Sequence, residues 1–279
     1  MRIVFFTSEK FISNEVFLYM FARVANSFDD VLIVAVQRST GSLLDRYRSK
    51  LRRIWRFGTG ITNMLELLSS YPIQRYVIRR SERRAQARIR ALPRPSVNPR
   101  PQEAIYVETV NGFDAVEAIS KLKPDVVIQF DAGILEKQIF GIARIGTLNL
   151  HPGIAPLIKG RDPIYWALWE QEPKWLGATV HFIDEGIDTG PVLAYAPVAP
   201  LFPGESHPDL FVRVYKLGID QLIDTLSRLA QGERWAINPP QGERIYRSNI
   251  SGWKLGLVET RDALRRLLYS ASQTLFLQL

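Results

Sequence analysis

An apolar run that stops at a cluster of polar and turn-forming residues constrains this chain more than any other feature. The run covers residues 142–150 and is broken by Asn149, His151 and a Pro152–Gly153 turn. This pattern predicts a buried strand followed by a forced change of direction. Since side chains two residues apart on a strand share a face, Asn149 and His151 are expected to be presented together.

A second strand and its exit loop supply a third polar group. Residues 177–184 predict a strand, and the loop that follows carries Asp188. Each residue alone also fits a purely structural role, because Asn and His can end a strand and Asp favours turns. Together, an amide, an imidazole and a carboxylate at strand ends are what transfer of a carbonyl group needs.

Three segments in this order resemble the folate-dependent formyltransferase family, whose members include glycinamide ribonucleotide, methionyl-tRNA and sugar-nucleotide enzymes. They are Asn149-Leu-His-Pro, the loop 156–160 and Ile187-Asp-Thr-Gly-Pro. The resemblance implies that Asn149 donates to an oxyanion, His151 handles the proton and Asp188 holds the imidazole. It also implies 10-formyltetrahydrofolate as formyl donor. Asp188 would relay protons best if its pKa were raised.

The resemblance further implies where the folate binds. In that family, the loop after the strand predicted at residues 126–130 offers backbone groups and an apolar pocket to the pterin. A plain strand-to-helix turn that uses the backbone freedom of Gly133 is the alternative for this loop. The implied folate-binding residues here are Ile128, Ala132, Gly133, Ile134, Leu135, Asp184, Gly186 and Ile187.

Strand and helix patterns along the chain predict an α/β fold with a Rossmann-like, mostly parallel sheet. The expected catalytic domain covers residues 1–235, with a basic helical insertion at 40–99 and a C-terminal extension at 236–279. Ser13 is a candidate cap for the first helix, and Ser206 for a long amphipathic helix ending near Gly232. No Gly-x-Gly-x-x-Gly follows the first strand, so a dinucleotide site is not expected.

The basic charge of the chain is concentrated in the insertion. The net charge is +8, and residues 45–94 contain 14 Lys/Arg and 3 Asp/Glu, so the rest carries −3. Helical spacing is present at 44–54, 61–68 and 76–91. The insertion could pack an apolar stripe on the domain with arginines in water. Alternatively, it could present a surface to the phosphates of a nucleotide-sugar, an anionic lipid or RNA.

The remaining histidines and the absence of cysteine exclude other chemistries. His181 is expected in the core or supporting the Asn149 cluster, and His207 on the surface at a helix start. Three dispersed histidines without cysteine give no metal-ligand spacing. The sequence also lacks the Gly-x-Ser-x-Gly motif, so a serine hydrolase is not indicated. The missing cysteines, signal peptide and membrane-length apolar stretch favour the cytoplasm.

The acceptor expected for the formyl group is a small-molecule amine, best a nucleotide-linked amino sugar. Gly153 stands where many members of the resembling family have Ser. Lys159 stands where the tRNA-directed members have Arg. The tail after residue 233 is short for the separate β-barrel that methionyl-tRNA formyltransferases carry. That enzyme stays open as an alternative, as does formyltetrahydrofolate deformylase. A third alternative, of a different class, is a non-catalytic protein bound to a membrane surface.

Overall fold

The structure is a computed structural model that describes most of the chain. The helices predicted at 44–54 and 61–68 lie outside the described part. The described residues are 1–37, 69–97, 101–198, 200–247 and 249–276.

A seven-stranded sheet in the described residues forms the centre of the molecule, in the order β3-β2-β1-β4-β5-β7-β8. The first five strands pair in parallel, and β7 and β8 extend the sheet antiparallel beyond β5. The predicted mostly parallel α/β fold is therefore confirmed. The strands of this sheet are β1 (Ile3–Ser8), β2 (Val31–Val36), β3 (Ile105–Val107), β4 (Val126–Phe130), β5 (Gly146–His151), β7 (Gly177–Phe182) and β8 (Val192–Pro197).

Helices cover both faces of the sheet. One buried cluster packs the long helix behind β8 and the first helix against one face, and a second packs the helices before and after β4 against the other. Two-sided burial explains why the parallel strands are continuous apolar runs. The helices are α1 (Glu15–Ala25), α2 (Tyr71–Arg90), α3 (Phe113–Leu122), α4 (Lys137–Phe140), α5 (Pro163–Glu170), α6 (His207–Ala230) and α7 (Gly252–Phe276).

The helix predicted within the insertion is α2, and it joins the C-terminal helix α7 in an outer layer. α2 packs against α1, α6 and α7, and α7 packs against α2 and α5. The start of α2 carries Pro72, which suits a first turn because its missing N–H has no intrahelical partner there. The last helix begins at Gly252, earlier than the helical pattern from Arg261 suggests.

A short parallel pair, β6 (Ile158–Gly160) and β9 (Ile245–Arg247), joins the C-terminal region to the loop after β5. Gly160 has φ +93°, and a Cβ there would lie 2.2 Å from the carbonyl oxygen of Arg247. Only glycine allows this approach. Asp162 strengthens the connection by accepting the Ile250 N–H at 3.2 Å. The predicted domain boundary at 235 stays a prediction.

Of the two predicted helix caps, one is found at the predicted residue and the other is displaced by one residue. Ser206 caps α6 through a capping box with Asp209, as predicted. The cap of α1 is Asn14, one residue after the predicted Ser13, because its side chain accepts the Val16 N–H at 2.9 Å.

The predicted surface position of His207 is wrong. Its ring is buried, stacks on Tyr165 at 3.8 Å and bonds to Ser81 through Nδ1 at 2.9 Å. The outer layer covers this end of α6, and one of its carboxylates, Glu259 on α7, lies 4.0 Å from the same nitrogen. A local helix-start pattern cannot reveal cover supplied by helices far away in sequence.

Candidate active site

Asn149, His151 and Asp188 meet at the carboxyl end of β5. His151 Nδ1 lies 3.4 Å from Asp188 Oδ2, and the Asn149 amide nitrogen lies 3.3 Å from Asp188 Oδ1. Both histidine and carboxylate side chains are nearly buried, at 4% and 10% exposure. The arrangement places an amide and an imidazole on two oxygens of one carboxylate, where open α/β sheets bind ligands.

Backbone groups from the loop after β5 fix the position of Asp188. The Gly160 N–H donates to Asp188 Oδ2 at 2.8 Å. Asp188 itself has φ +49°, a left-handed conformation that costs energy for a residue with a side chain and persists where the surrounding contacts hold it. β9 therefore supports the carboxylate indirectly, since it pairs with the strand that ends at Gly160.

The hydrogen bonds of His151 define which nitrogen can take up a proton. Nε2 lies 3.1 Å from the carbonyl oxygen of Ile158, closer than Nδ1 lies to Asp188 Oδ2 at 3.4 Å, so we place the hydrogen of the neutral ring on Nε2. Nδ1 is then the basic nitrogen, and it faces Asp188. Burial lowers the pKa of His151, and the negative charge of Asp188 opposes that shift only in part. The imidazole is therefore a free base at neutral pH.

The pKa of Asp188 is lowered by its surroundings. Burial alone would raise it, but His151, His181 and the Gly160 N–H outweigh burial and hold the pKa far below its usual range. The condition that would best suit Asp188 to relaying protons, a raised pKa, is therefore not met. Asp188 is a fixed negative charge that orients its neighbours and stabilises a proton on His151.

His181 belongs to the same cluster, a role the sequence left open. Its Nδ1 lies 2.8 Å from the Phe182 carbonyl oxygen and therefore carries the hydrogen, so Nε2 accepts from the Asn149 amide at 3.2 Å. Nε2 is also 3.5 Å from Asp188 Oδ1. The pairing of Asn149 with His181 across β5 and β7 brings them together, and only the strand register gives that information.

The residues implied as folate-binding are divided between core and surface. Ile128 is fully buried in the core, and its place in the folate site stays a prediction. Ala132 and Leu135 are buried beside the loop, whereas Gly133 and Ile134 are exposed. Ile128 lies inside β4, two residues before the strand ends, and its side chain belongs to the hydrophobic core on one face of the sheet.

Asp184 has a structural task in the loop that carries Asp188. It accepts the Gly186 N–H at 3.0 Å and the Thr189 hydroxyl at 2.7 Å. A Cβ at Gly186 would lie 2.0 Å from the Thr189 hydroxyl oxygen, so the loop needs glycine there. Ile187 is half-buried between these residues and Asp188.

Two further features bear on the chemistry open to this molecule. Over the described ranges, no group of three or more His, Cys, Asp or Glu side chains could hold a metal ion. A search of the helices in the same residues finds none long and apolar enough to cross a bilayer.

The comparison with protein families gives a match to formyl transferase over residues 76–226, just over half of the chain. The chain belongs to the formyl transferase family. Members of this family are transferases that depend on folate and use 10-formyltetrahydrofolate. The matched segment contains Asn149, His151 and Asp188 and ends within α6.

Sequence relatives include methionyl-tRNA formyltransferases. The protein from Chlorobium chlorochromatii is 32% identical over 139 residues, which are 50% of this chain and 43% of that protein. The protein from Kosmotoga olearia is 32% identical over 153 residues, 54% of this chain and 49% of that protein. The chain thus spans less than half the length of these relatives.

Solved structures show the same fold at low identity. HypX from Aquifex aeolicus in complex with tetrahydrofolic acid has a TM-score of 0.54 at 17% identity, covering 98% of this chain and 35% of that chain. A sugar N-formyltransferase from Shewanella has a TM-score of 0.50 at 18% identity, covering 89% of this chain and 77% of that chain.

Proposed function

We propose that this protein is an N-formyltransferase that moves the formyl group of 10-formyltetrahydrofolate to a primary amine. The observation that carries the proposal is the contact of Asn149, His151 and Asp188 at the end of β5, in a chain of the formyl transferase family. The folate is expected against the loop of residues 132–135 and the Asp188 loop.

The reaction requires one bond to form, one to break and one proton to move. The amine nitrogen attacks the formyl carbon, the carbon bond to folate N10 breaks, and the proton lost by the amine reaches N10. His151 is suited to carry that proton at Nδ1, because burial keeps the imidazole unprotonated at neutral pH and Asp188 stabilises the imidazolium that forms.

Asn149 is the proposed donor to the tetrahedral oxyanion. Its amide nitrogen is directed to His181 and Asp188, so one of these contacts must open before an N–H can reach the oxyanion. His181 and Asp188 thereby hold the amide ready within a buried polar site. A donor in that position lowers the barrier by about 3 kcal/mol in other acyl transfers.

A nucleotide-linked amino sugar is the acceptor class that we favour. The fold shared with the Shewanella sugar N-formyltransferase covers 89% of this chain and 77% of that chain. Gly153 lies against the catalytic residues: a Cβ there would lie 2.8 Å from His151 Nε2.

Methionyl-tRNA is the second candidate acceptor. The sequence relatives support it, because methionyl-tRNA formyltransferases are 32% identical over half of this chain. An RNA acceptor also explains a surplus of arginine in the segment around α2, since phosphate contacts dominate binding to nucleic acids.

A direct assay separates these acceptors. The purified chain is mixed with 10-formyltetrahydrofolate and, in turn, nucleotide-linked amino sugars, methionyl-tRNA or no acceptor, and the products are followed by mass. We expect formylated sugar, with no turnover by the His151→Ala variant. Formation of formyl-methionyl-tRNA would show that methionyl-tRNA, and not an amino sugar, is the acceptor. Release of formate without an amine would identify a deformylase and contradict the proposed transferase activity.

A further inference from the structure

The outer face of α7 carries an apolar stripe that is exposed in the part of the chain that the structure describes. Its large apolar residues recur at helical spacing, on the side opposite the packed residues Leu255, Val258 and Asp262. Exposed side chains of this size and number on one helix face are a feature of interaction surfaces. The stripe consists of Trp253 (54% exposed), Leu257 (51%), Leu264 (55%), Leu267 (66%) and Leu268 (62%).

The outer face of α2 is basic. The helix contains seven arginines and one glutamate, and its buried positions are Gln74, Ser81, Ala85 and Ile89. The remaining sides carry two neighbouring rows of positive charge. Among the described residues, Arg79 and Arg83 have no ion-pair partner, and Arg75 and Arg80 bond only to tyrosine hydroxyls. The two rows are Arg75, Arg79 and Arg83, and Arg80 and Arg84.

The two helices lie side by side and run in the same direction. The Gly252 N–H bonds to the Ser70 hydroxyl at 2.9 Å at their starts. About three turns further along α2 and about two turns further along α7, Ser81 and Glu259 approach the same buried His207. Both helices thus turn their inner faces to the domain, and their outer faces form one surface that is basic on α2 and apolar on α7.

We propose that this α2–α7 surface docks the protein on an anionic lipid bilayer. Leucines and tryptophan would enter the headgroup region while arginines contact lipid phosphates, the combination that binds interfacial helices. A two-fold dimer that pairs the α7 stripes would leave the arginine rows without an anionic partner, and RNA would leave the leucines in water. The surface uses none of the residues of the proposed catalytic cluster.

Vesicle sedimentation with the full chain tests the proposal. Phosphatidylcholine vesicles are compared with vesicles that contain about one third phosphatidylglycerol, at low and physiological salt. We expect binding to the anionic vesicles only, weakened by salt because surface charges are screened. The Arg79→Gln/Arg83→Gln variant should bind about 25-fold more weakly, or about fivefold per arginine. Leu264→Asn/Leu268→Asn should reduce binding at least tenfold.

Matched controls carry the same kinds of change elsewhere. Phe113→Asn alters a phenylalanine that is 82% exposed on α3, and Lys121→Gln/Lys174→Gln removes two surface charges. These variants should bind vesicles like the parent, and thermal unfolding should show all variants folded. Three results overturn the proposal: no binding to anionic vesicles, equal loss in the controls, or a stripe-dependent dimer or tRNA complex without vesicle binding.

Discussion

The end of β5 and the α2–α7 surface show two opposite uses of polar and charged residues. At the end of β5, each polar side chain is held by groups from several elements: Asp188 alone contacts Asn149, His151, His181 and the Gly160 N–H. On the α2–α7 surface, arginines and leucines face outward with few partners among the described residues. Fixed geometry suits chemistry, whereas accessible charge and apolar area suit association.

Substitutions in these two regions should affect different properties of the protein. A change at the end of β5 alters atoms that must be positioned to fractions of an ångström, so it should affect turnover and leave association unchanged. A change on the outer surface should do the reverse. The following predictions test that separation.

Asp188→Asn should have the largest effect, lowering kcat about 10²- to 10⁴-fold, the range for a group that supports proton transfer. The variant keeps the shape and loses the charge that stabilises a proton on His151. Formyl transfer by the purified variant is the measurement. Glu185→Gln, three residues earlier and 79% exposed, is the control and should leave kcat unchanged. Equal activity of the two variants would contradict the role of Asp188.

Asn149→Ala should lower kcat about 10²- to 10³-fold, since it removes the donor to the oxyanion. KM for the folate should change little, because the interaction forms in the transition state. Steady-state kinetics at varied folate concentration separates the two constants. A rise of KM with unchanged kcat would show that Asn149 binds substrate and does not stabilise the oxyanion.

Gly160→Ala should lower kcat about 100-fold, because the new Cβ meets the Arg247 carbonyl at 2.2 Å and shifts the N–H that holds Asp188. Gly232→Ala is the matched control: its φ is +89° and nothing lies within 4 Å of the added Cβ. The control should cost about 1 kcal/mol of stability and no activity. Similar kinetics for both variants would exclude a link from β9 to Asp188.

His207→Phe should flatten the dependence of stability on pH, the smallest effect in this series. Burial lowers the pKa of His207 to about 3, so below pH 6.5 the unfolded chain binds a proton that the folded chain does not. Stability from this group is therefore full above pH 6.5 and is lost as pH falls.

Urea unfolding at pH 7 and pH 5 measures this contribution. The parent should lose about 2 kcal/mol more than the variant between these values. The Phe ring keeps the stacking on Tyr165, so turnover and vesicle binding should be unaffected. Parallel pH profiles for the two proteins would show that His207 is not held neutral by the outer layer.

Local patterns predicted most of the sheet and its helices. β4, α3 and the strands on either side of the Pro156 loop follow directly from apolar runs and turn residues, since periodicity and chain breaks are local properties. The pairing of Asn149 with His151 on one face also follows from strand geometry alone.

Contacts between distant segments were beyond local patterns. His181 reaches Asn149 only through the β5–β7 register, and Ile128 is core because helices cover that face of β4. His207 is buried because α2, α5 and α7 close over the start of α6. Each outcome depends on elements separated by tens to more than a hundred residues.

Periodicity and one motif were enough to predict the fold class, the family and the three polar residues at the strand ends, because these are local properties of the chain. The electrostatics of those residues came from tertiary packing: neighbouring groups hold the pKa of Asp188 low, His181 becomes a partner of Asn149, and β9 pairs with the strand that ends at Gly160. Burial and hydrogen bonding are set by whichever segments meet in space, and a local pattern does not contain that information.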